Sequence, residues 1–255
     1  MALMNRATAR LTLLAALGLA GMAGLAAEPG AIVEYTAEYE VRNDGRHVAN
    51  AEFRVARIDS GNFVFTSSAR ARGLLRLVRP DPAVEHSEFR LGDDGIVPKS
   101  FRYEDGSRKG EDNFTVEFDR GAGEVRVTGP AGNLTEALER GLLDRGSLQV
   151  ALMRDLAACR LPGPYRYVDD NGIREYRYER LEDLATETGI GTLDTVRFAQ
   201  RREGSSRETI LWLAPELGFL PVRIEQIRNG ELATSFALEN LTGIAREASA
   251  CSGFR

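Results

Sequence analysis

A chain of 255 residues that is 43% hydrophobic and 28% charged can build a full core and is not disordered. Its 33 basic and 38 acidic side chains leave a formal charge of −5, which offers nucleic acid no electrostatic attraction. Two His and two Cys exclude most multi-ligand zinc sites and every Cys-rich cluster fold, so neither a metal nor another cofactor is expected.

The chain opens with Arg6 and Arg10, an apolar stretch from Leu11 to Leu25, and small residues to Ala26, which read as a secretory signal peptide over residues 1–26. The stretch is shorter than the ~20 residues that span a bilayer and runs into Glu28-Pro29-Gly30, so cleavage rather than anchoring is expected. Cleavage after Ala26 leaves 31 basic against 38 acidic groups, a net −7. No later segment approaches ~18 consecutive apolar residues. With no repeat or linker in sight, residues 27–255 are expected to form one β-rich periplasmic domain without a membrane span.

From Val33 to Val41 the odd positions are apolar and the even ones polar, the period-two pattern of a sheet with one buried face. The alternation returns at Phe53/Val55, Phe63/Phe65, Phe114/Val116/Phe118, Val125/Val127, Tyr176/Tyr178, Val196/Phe198, Leu220/Val222/Ile224 and Leu232/Thr234/Phe236/Leu238. Turns such as Asn43-Asp44-Gly45, Asp59-Ser60-Gly61-Asn62 and Asn229-Gly230 separate these runs and suit antiparallel hairpins. The pattern predicts a mainly β fold, a curved antiparallel meander sheet or barrel whose apolar face must be hidden by closure, stacking or a helix.

Between the third and fourth runs, Arg72-Gly73-Leu74-Leu75-Arg76-Leu77-Val78-Arg79 interleaves three Arg, and no acid, with four large aliphatics ahead of Pro80. Such a loop can cover an apolar ligand or sit at an anionic interface, which makes Leu74, Leu75, Leu77 and Arg76 candidate ligand-binding residues. His86, in Glu85-His86-Ser87-Glu88, is placed by default on a strand surface, because no nucleophile partner is identifiable.

In mid-chain, Asn133-Leu134-Thr135-Glu136 reads as a capping box, with Leu134, Leu138 and Leu142 at helical spacing behind it. Ser147 can cap a second helix that carries Leu148, Leu152 and Leu156 and ends before Pro162 and Pro164. A short central helical pair filling the curved sheet is therefore expected. Cys159 and Cys251 both lie in the exported part, where oxidising conditions favour a disulfide between them. A catalytic thiol is the less favoured alternative, since neither Cys has a His nearby in sequence.

Enzyme signatures are missing: no Gly-x-Ser-x-Gly elbow, no His-Glu-x-x-His pair, no phosphate-cradling or dinucleotide glycine motif. The run from Ile210 to Glu225 reads as an apolar strand buried on both faces, a turn begun by Pro215, and a returning strand, which puts the sole Trp, Trp212, in the core or against a ligand cavity. The segment Trp212-Leu-Ala-Pro215-Glu-Leu-Gly-Phe-Leu-Pro221-Val-Arg223, together with Val97-Pro-Lys-Ser-Phe-Arg-Tyr103 and Tyr39-Glu-Val41, resembles the DUF3108 family of bacterial exported proteins. The resemblance implies a β-rich protein exported to the periplasm of a Gram-negative bacterium, and it brings no activity or site residue with it.

The function these readings support is a non-catalytic envelope protein that holds an apolar or lipid-like ligand in the curved sheet. An interaction module with an envelope protein partner and no small-molecule ligand is the alternative. A polysaccharide hydrolase, which needs two converging carboxylates, ranks third.

Overall fold

The computed structural model describes residues 31–93, 95–249 and 251, so the predicted signal peptide lies outside the described residues. These residues form one antiparallel meander: β1 (Tyr35–Asn43), β2 (Arg46–Arg57), β3 (Asn62–Ala71), β4 (Ala83–Gly92), β5 (Gly95–Glu104), β6 (Phe114–Asp119), β7 (Glu124–Gly129) and β8 (Gly132–Ala137). A single α-helix, α1 (Arg145–Ala157), leads to β9 (Tyr165–Asp169), β10 (Gly172–Thr188), β11 (Gly191–Arg201), β12 (Arg207–Ala214), β13 (Leu220–Arg228) and β14 (Glu231–Thr242).

The spatial order runs β8 through β1 and then β14 back to β9. The strands thus run from β1 in mid-sheet out to one edge at β8, cross through α1 to the other edge at β9, and return to β14 beside β1. The two edges share no continuous ladder. They meet through Leu143, whose N–H donates to the Arg166 carbonyl at 3.0 Å and whose carbonyl accepts from Val168 N–H at 2.9 Å. Beside that bridge a second small core closes the seam, with Phe101, Phe114, Val116, Val125, Val127 and Val168 buried and Leu134, Leu138 and Ile173 packed against it.

The expected helical pair is a single helix. Residues 132–137 form edge strand β8, in register with β7 from Gly129↔Gly132 to Glu124↔Ala137. Leu134 and Leu138 look helical by spacing, yet the Gly-Pro-Ala-Gly turn at 129–132 returns the chain as a hairpin, and both leucines are used at the seam. The cap of the surviving helix also differs. The Asp144 carboxylate accepts from Gly146 N–H and Ser147 N–H, each at 2.9 Å, and the Ser147 hydroxyl accepts from Asp144 N–H at 2.9 Å. Ser147 is therefore the reciprocal partner in a capping box rather than the cap.

Helix α1 is buried on most sides, at Leu148, Val150, Ala151, Leu152, Met153 and Leu156, and so acts as a plug inside the curl. Its first turn packs so closely on β3 and β4 that a Cβ on Gly146 would stand 2.7 Å from both Phe65 Cδ1 and Ser87 Cβ. Gln149 Nε2 donates to the Tyr35 hydroxyl at 3.3 Å, and the Tyr39 hydroxyl donates to the Pro221 carbonyl at 2.7 Å. Both tyrosine tips are thereby satisfied inside the core.

At the C-terminal end of α1 the curl is shut from outside. The β10–β11 hairpin tip reaches β14, where Gly189 N–H donates to the Leu238 carbonyl at 2.8 Å. Only glycine fits there, since a Cβ would lie 2.3 Å from the Glu239 carbonyl oxygen. The tail after β14 lies across this end: Arg246 Nη2 donates to the Ile190 carbonyl at 2.6 Å and Glu247 N–H to the Glu216 carbonyl at 2.9 Å. It finishes in the expected Cys159–Cys251 disulfide, with Cα atoms 5.1 Å apart. The Pro215–Leu217 turn of the Trp212–Arg223 run is thus the platform on which the tail rests.

Candidate functional site

Along the inner face of the sheet, burial falls toward one end of the curl, at a point that differs from strand to strand. On β3 the inward residues Phe63 and Phe65 are buried, while Ser67, Ala69 and Ala71 are half-buried. On β4 Phe89 and Ser87 are buried and Glu85 and Ala83 half-buried; on β2 the change falls between Ala51 and Ala49. On β11 it falls between Phe198 and Gln200, on β12 between Leu211 and Thr209, and on β14 between Leu238 and Phe236. On β3 and β4 the change falls where α1 begins, with Gly146 against Phe65 and Ser87. Above it no helix fills the curl, and the mouth is walled by Ala49, Ala69, Ala71 and Ala83 on one side. Tyr103, Tyr176 and Tyr178, all half-buried, stand on others.

The alanines are brought together by register, Ala49↔Ala71 across β2–β3 and Ala69↔Ala83 across β3–β4. Small side chains stand there where the lower half of the same strands carries phenylalanines. At the level where the plug ends stands Arg145, the first residue of α1. Its guanidinium lies 5.5, 5.1 and 5.3 Å from the rings of Phe101, Tyr103 and Phe114, and its Nη2 is 3.1 Å from Glu85 Oε1. Burial works against that charge, and Glu85 with Tyr103, Tyr176 and Asp169 holds it above its ordinary pKa.

Just beneath, Asp144 is fully buried. Burial pushes its carboxyl up to about 6, partly offset by hydrogen bonds from Ser147 and Gly146. Asp144 Oδ2 and Ser87 Oγ both lack a hydrogen-bond partner. The Ser87 hydroxyl is near enough to favour the ionised carboxylate, but the two groups do not meet hydrogen-bond geometry.

The loop between β3 and β4 is at the rim of this mouth. Gly73–Leu77 forms a 3-10 turn in which no residue is buried. Its root is fixed: Arg72 N–H donates to the Val48 carbonyl at 2.8 Å, Arg79 N–H to the Leu75 carbonyl at 2.9 Å, and the Arg79 guanidinium to the Asp105 carbonyl. Leu74, Leu75 and Leu77 project into solvent, as does Arg76.

Trp212 is elsewhere. Its neighbours in register are Arg197 and Arg223, whereas Leu211 pairs with the inward Phe198 and Ile224. The indole therefore sits on the outer face, covered by the Arg197 and Arg223 guanidinium groups at 4.7 and 5.2 Å from its ring. Of the two places expected for it, core or cavity wall, the core is where it lies, and strand alternation turns its ring away from the concave side. It is buried at 6% exposure, a member of the main core cluster with two cations stacked on its outer side.

Below the plug, an apolar cavity of about 70 Å³ lies between α1, β1 and the tail, lined by Ile32, Tyr35, Val55, Val150, Met153 and Leu217 among others. A drug-sized ligand needs roughly 300 Å³ or more. A polar hollow of about 380 Å³ beside β10 is lined by Ile173, Arg174, Glu175, Arg177, Arg202 and Glu203. His86 alternates with the inward Ser87, so it faces outward, 3.4 Å from Glu88. In the mouth Glu85 is ion-paired to Arg145, and Asp169 lies 4.0 and 3.8 Å from Arg174 and Arg202. Among the described residues no cluster of three His, Cys, Asp or Glu could hold a metal.

Residues 34–236 match the model of a family described as a protein of unknown function, DUF3108. No curated protein is detectably similar. A β-barrel-like protein of another domain of unknown function, DUF1849, from Brucella abortus shares the fold, with a TM-score of 0.53 at 12% identity. That match covers 84% of this chain and 98% of the other. A putative exported protein with a YmcC-like fold from Bacteroides fragilis aligns over 82% of this chain and 95% of its own, at 10% identity and a TM-score of 0.37.

Proposed function

This chain belongs to the DUF3108 family, and from that premise we propose that it is a non-catalytic periplasmic envelope protein that holds an apolar or lipid-like ligand in the mouth of its curved sheet. The observation that carries this reading is that the inner faces of β2, β3, β4, β11, β12 and β14 all turn from buried to half-buried toward the same end of the curl. A wall of alanines opposite aromatic rings supplies apolar surface without filling the space. The 70 Å³ cavity beneath the helix is too small for such a ligand, so the reading places it above Arg145. Export rests on the sequence of residues 1–26, and no helix among the described residues is long and apolar enough to cross a membrane.

The test is native mass spectrometry, without detergent, of the protein purified from a Gram-negative periplasm. An adduct of several hundred daltons that extracts into organic solvent, and that Ala69→Phe removes while the fold survives, is the expected result. A bare polypeptide mass that also stays bare after incubation with oleate overturns the reading and favours an interaction module.

A further inference from the structure

We propose that the rim loop Arg72–Arg79 is a membrane-docking element that sets Leu74, Leu75, Leu77 and Val78 into the surface of an anionic bilayer. The four side chains are 83, 48, 73 and 69% exposed within five residues, which is a concentration that water-facing loops rarely carry. Arg72, Arg76 and Arg79 accompany them with no acid between, on a chain whose formal charge is −5.

Charge complementarity selects the occupant. Arg79 is held by Asp105, its Nη1 3.7 Å from the carboxylate, and Arg72 lies 3.1 Å from the His47 ring. Arg76 has no ion-pair partner among the described residues and stands between Leu75 and Leu77. Its guanidinium is placed to meet a lipid phosphate as those side chains enter the headgroup layer. An apolar surface alone would suit any hydrophobic partner, but an acid-free Arg set on an acidic protein fits a negatively charged lipid surface.

The loop is also preformed. The 3-10 turn is closed by Val78 N–H to the Leu75 carbonyl at 3.1 Å, and its base is tied to β2 and to the β5–β6 loop, where Asp81 N–H donates to the Gly106 carbonyl at 3.3 Å. Docking therefore needs no folding step and orders little beyond exposed side chains. The inference stands apart from the ligand reading, since a protein with an empty mouth would still bind vesicles through this loop.

The experiment is co-sedimentation of residues 27–255 with sonicated vesicles of phosphatidylcholine alone or mixed with phosphatidylglycerol. Binding to the mixed vesicles, little to phosphatidylcholine, and weakening at 0.5 M salt are expected. Leu74→Asp with Leu77→Asp should lower affinity by about a hundredfold or more, and Arg76→Ala by about fivefold. These positions bear no packing load, so thermal unfolding checks that both variants fold as the parent does. No binding to mixed vesicles overturns the proposal, as does binding that the paired aspartates leave unchanged. Loss of a purified envelope protein's binding in the paired variant, with vesicles ignored throughout, would reassign the loop to a protein contact. A native-mass adduct that survives in the paired variant would leave the ligand reading intact whatever the vesicles do.

Discussion

Where Phe53, Phe63, Phe65 and Phe89 point inward the sheet is packed with α1 in one core; where Ala49, Ala69, Ala71 and Ala83 stand on the same strands it is only half-buried. The helix accounts for part of this difference, since its thirteen residues begin beside Phe65 and Ser87 and run to the closed end. The side chains account for the rest. The closed end is also fastened three times from outside, by the hairpin tip at Gly189, the tail at Glu216 and the disulfide at Cys159. The open end is held mainly by its own strand ladders. Fastenings gathered at one end are the arrangement that the proposed binding mouth at the other would require.

Removing the outermost fastening should give the largest effect. Cys159→Ser with Cys251→Ser opens a closed loop of 92 residues and should lower stability by about 3–5 kcal/mol, read from urea unfolding with and without reductant. An unchanged midpoint would show that the tail contributes little to the closed end.

Next come opposite changes of side-chain size at the two ends. Leu156→Ala, at 0% exposure on α1, should cost about 2–5 kcal/mol through its cavity. Ala69→Leu in the mouth, which adds bulk instead, should change stability by less than about 1 kcal/mol while abolishing the bound adduct. Comparable losses from both would mean that the mouth is as tightly filled as the base.

At the boundary, Asp144 gives a pH signature. Its carboxyl is pushed up to about 6 in the fold from an ordinary value of 3.8, so the fold favours the protonated form. The cost of the buried charge is absent below about pH 4, grows as pH rises and is full above about pH 6. Asp144→Asn keeps the capping oxygen and removes the charge. It should stabilise the protein by about 2–3 kcal/mol at pH 8 and by almost nothing at pH 4, measured by chemical denaturation. A gain that does not vary with pH would dismiss the buried charge as its source.

The smallest effect concerns the outer face. Arg223→Ala uncovers one side of Trp212 and should shift its emission to longer wavelength, with about 1 kcal/mol or less lost in stability. Ligand uptake at the mouth should leave that emission unchanged. A large response of Trp212 to ligand would place binding on the wrong side of the sheet.

Much of this was legible in single residues. Tyr35, Ala37, Tyr39 and Val41 alternate inward as their spacing predicts, and the Trp212–Arg223 run is a buried strand, a proline-started turn and a returning strand. The cysteines pair. Residues 133–138 were misleading, because leucines four apart suit a helix by spacing alone. What held them in β8 is pairing with Val125 and Val127, a partner that local pattern does not contain. The candidate site was harder still. Leu74, Leu75, Arg76 and Leu77 stand out in sequence because they break the alternation, whereas Ala49, Ala69, Ala71 and Ala83 are ordinary strand residues one at a time.

By itself the sequence determined that the chain makes hairpin-linked strands with one apolar face, that a mid-chain helix is available to cover it, and that two cysteines can join. These follow from period-two alternation, turn residues and redox chemistry, all of which are local. Tertiary structure alone decided how far along the curl the helix reaches, which alanines meet, and that Trp212 turns outward. Each depends on strand register and on the crossing of α1 between the two sheet edges, contacts made by residues far apart in the chain.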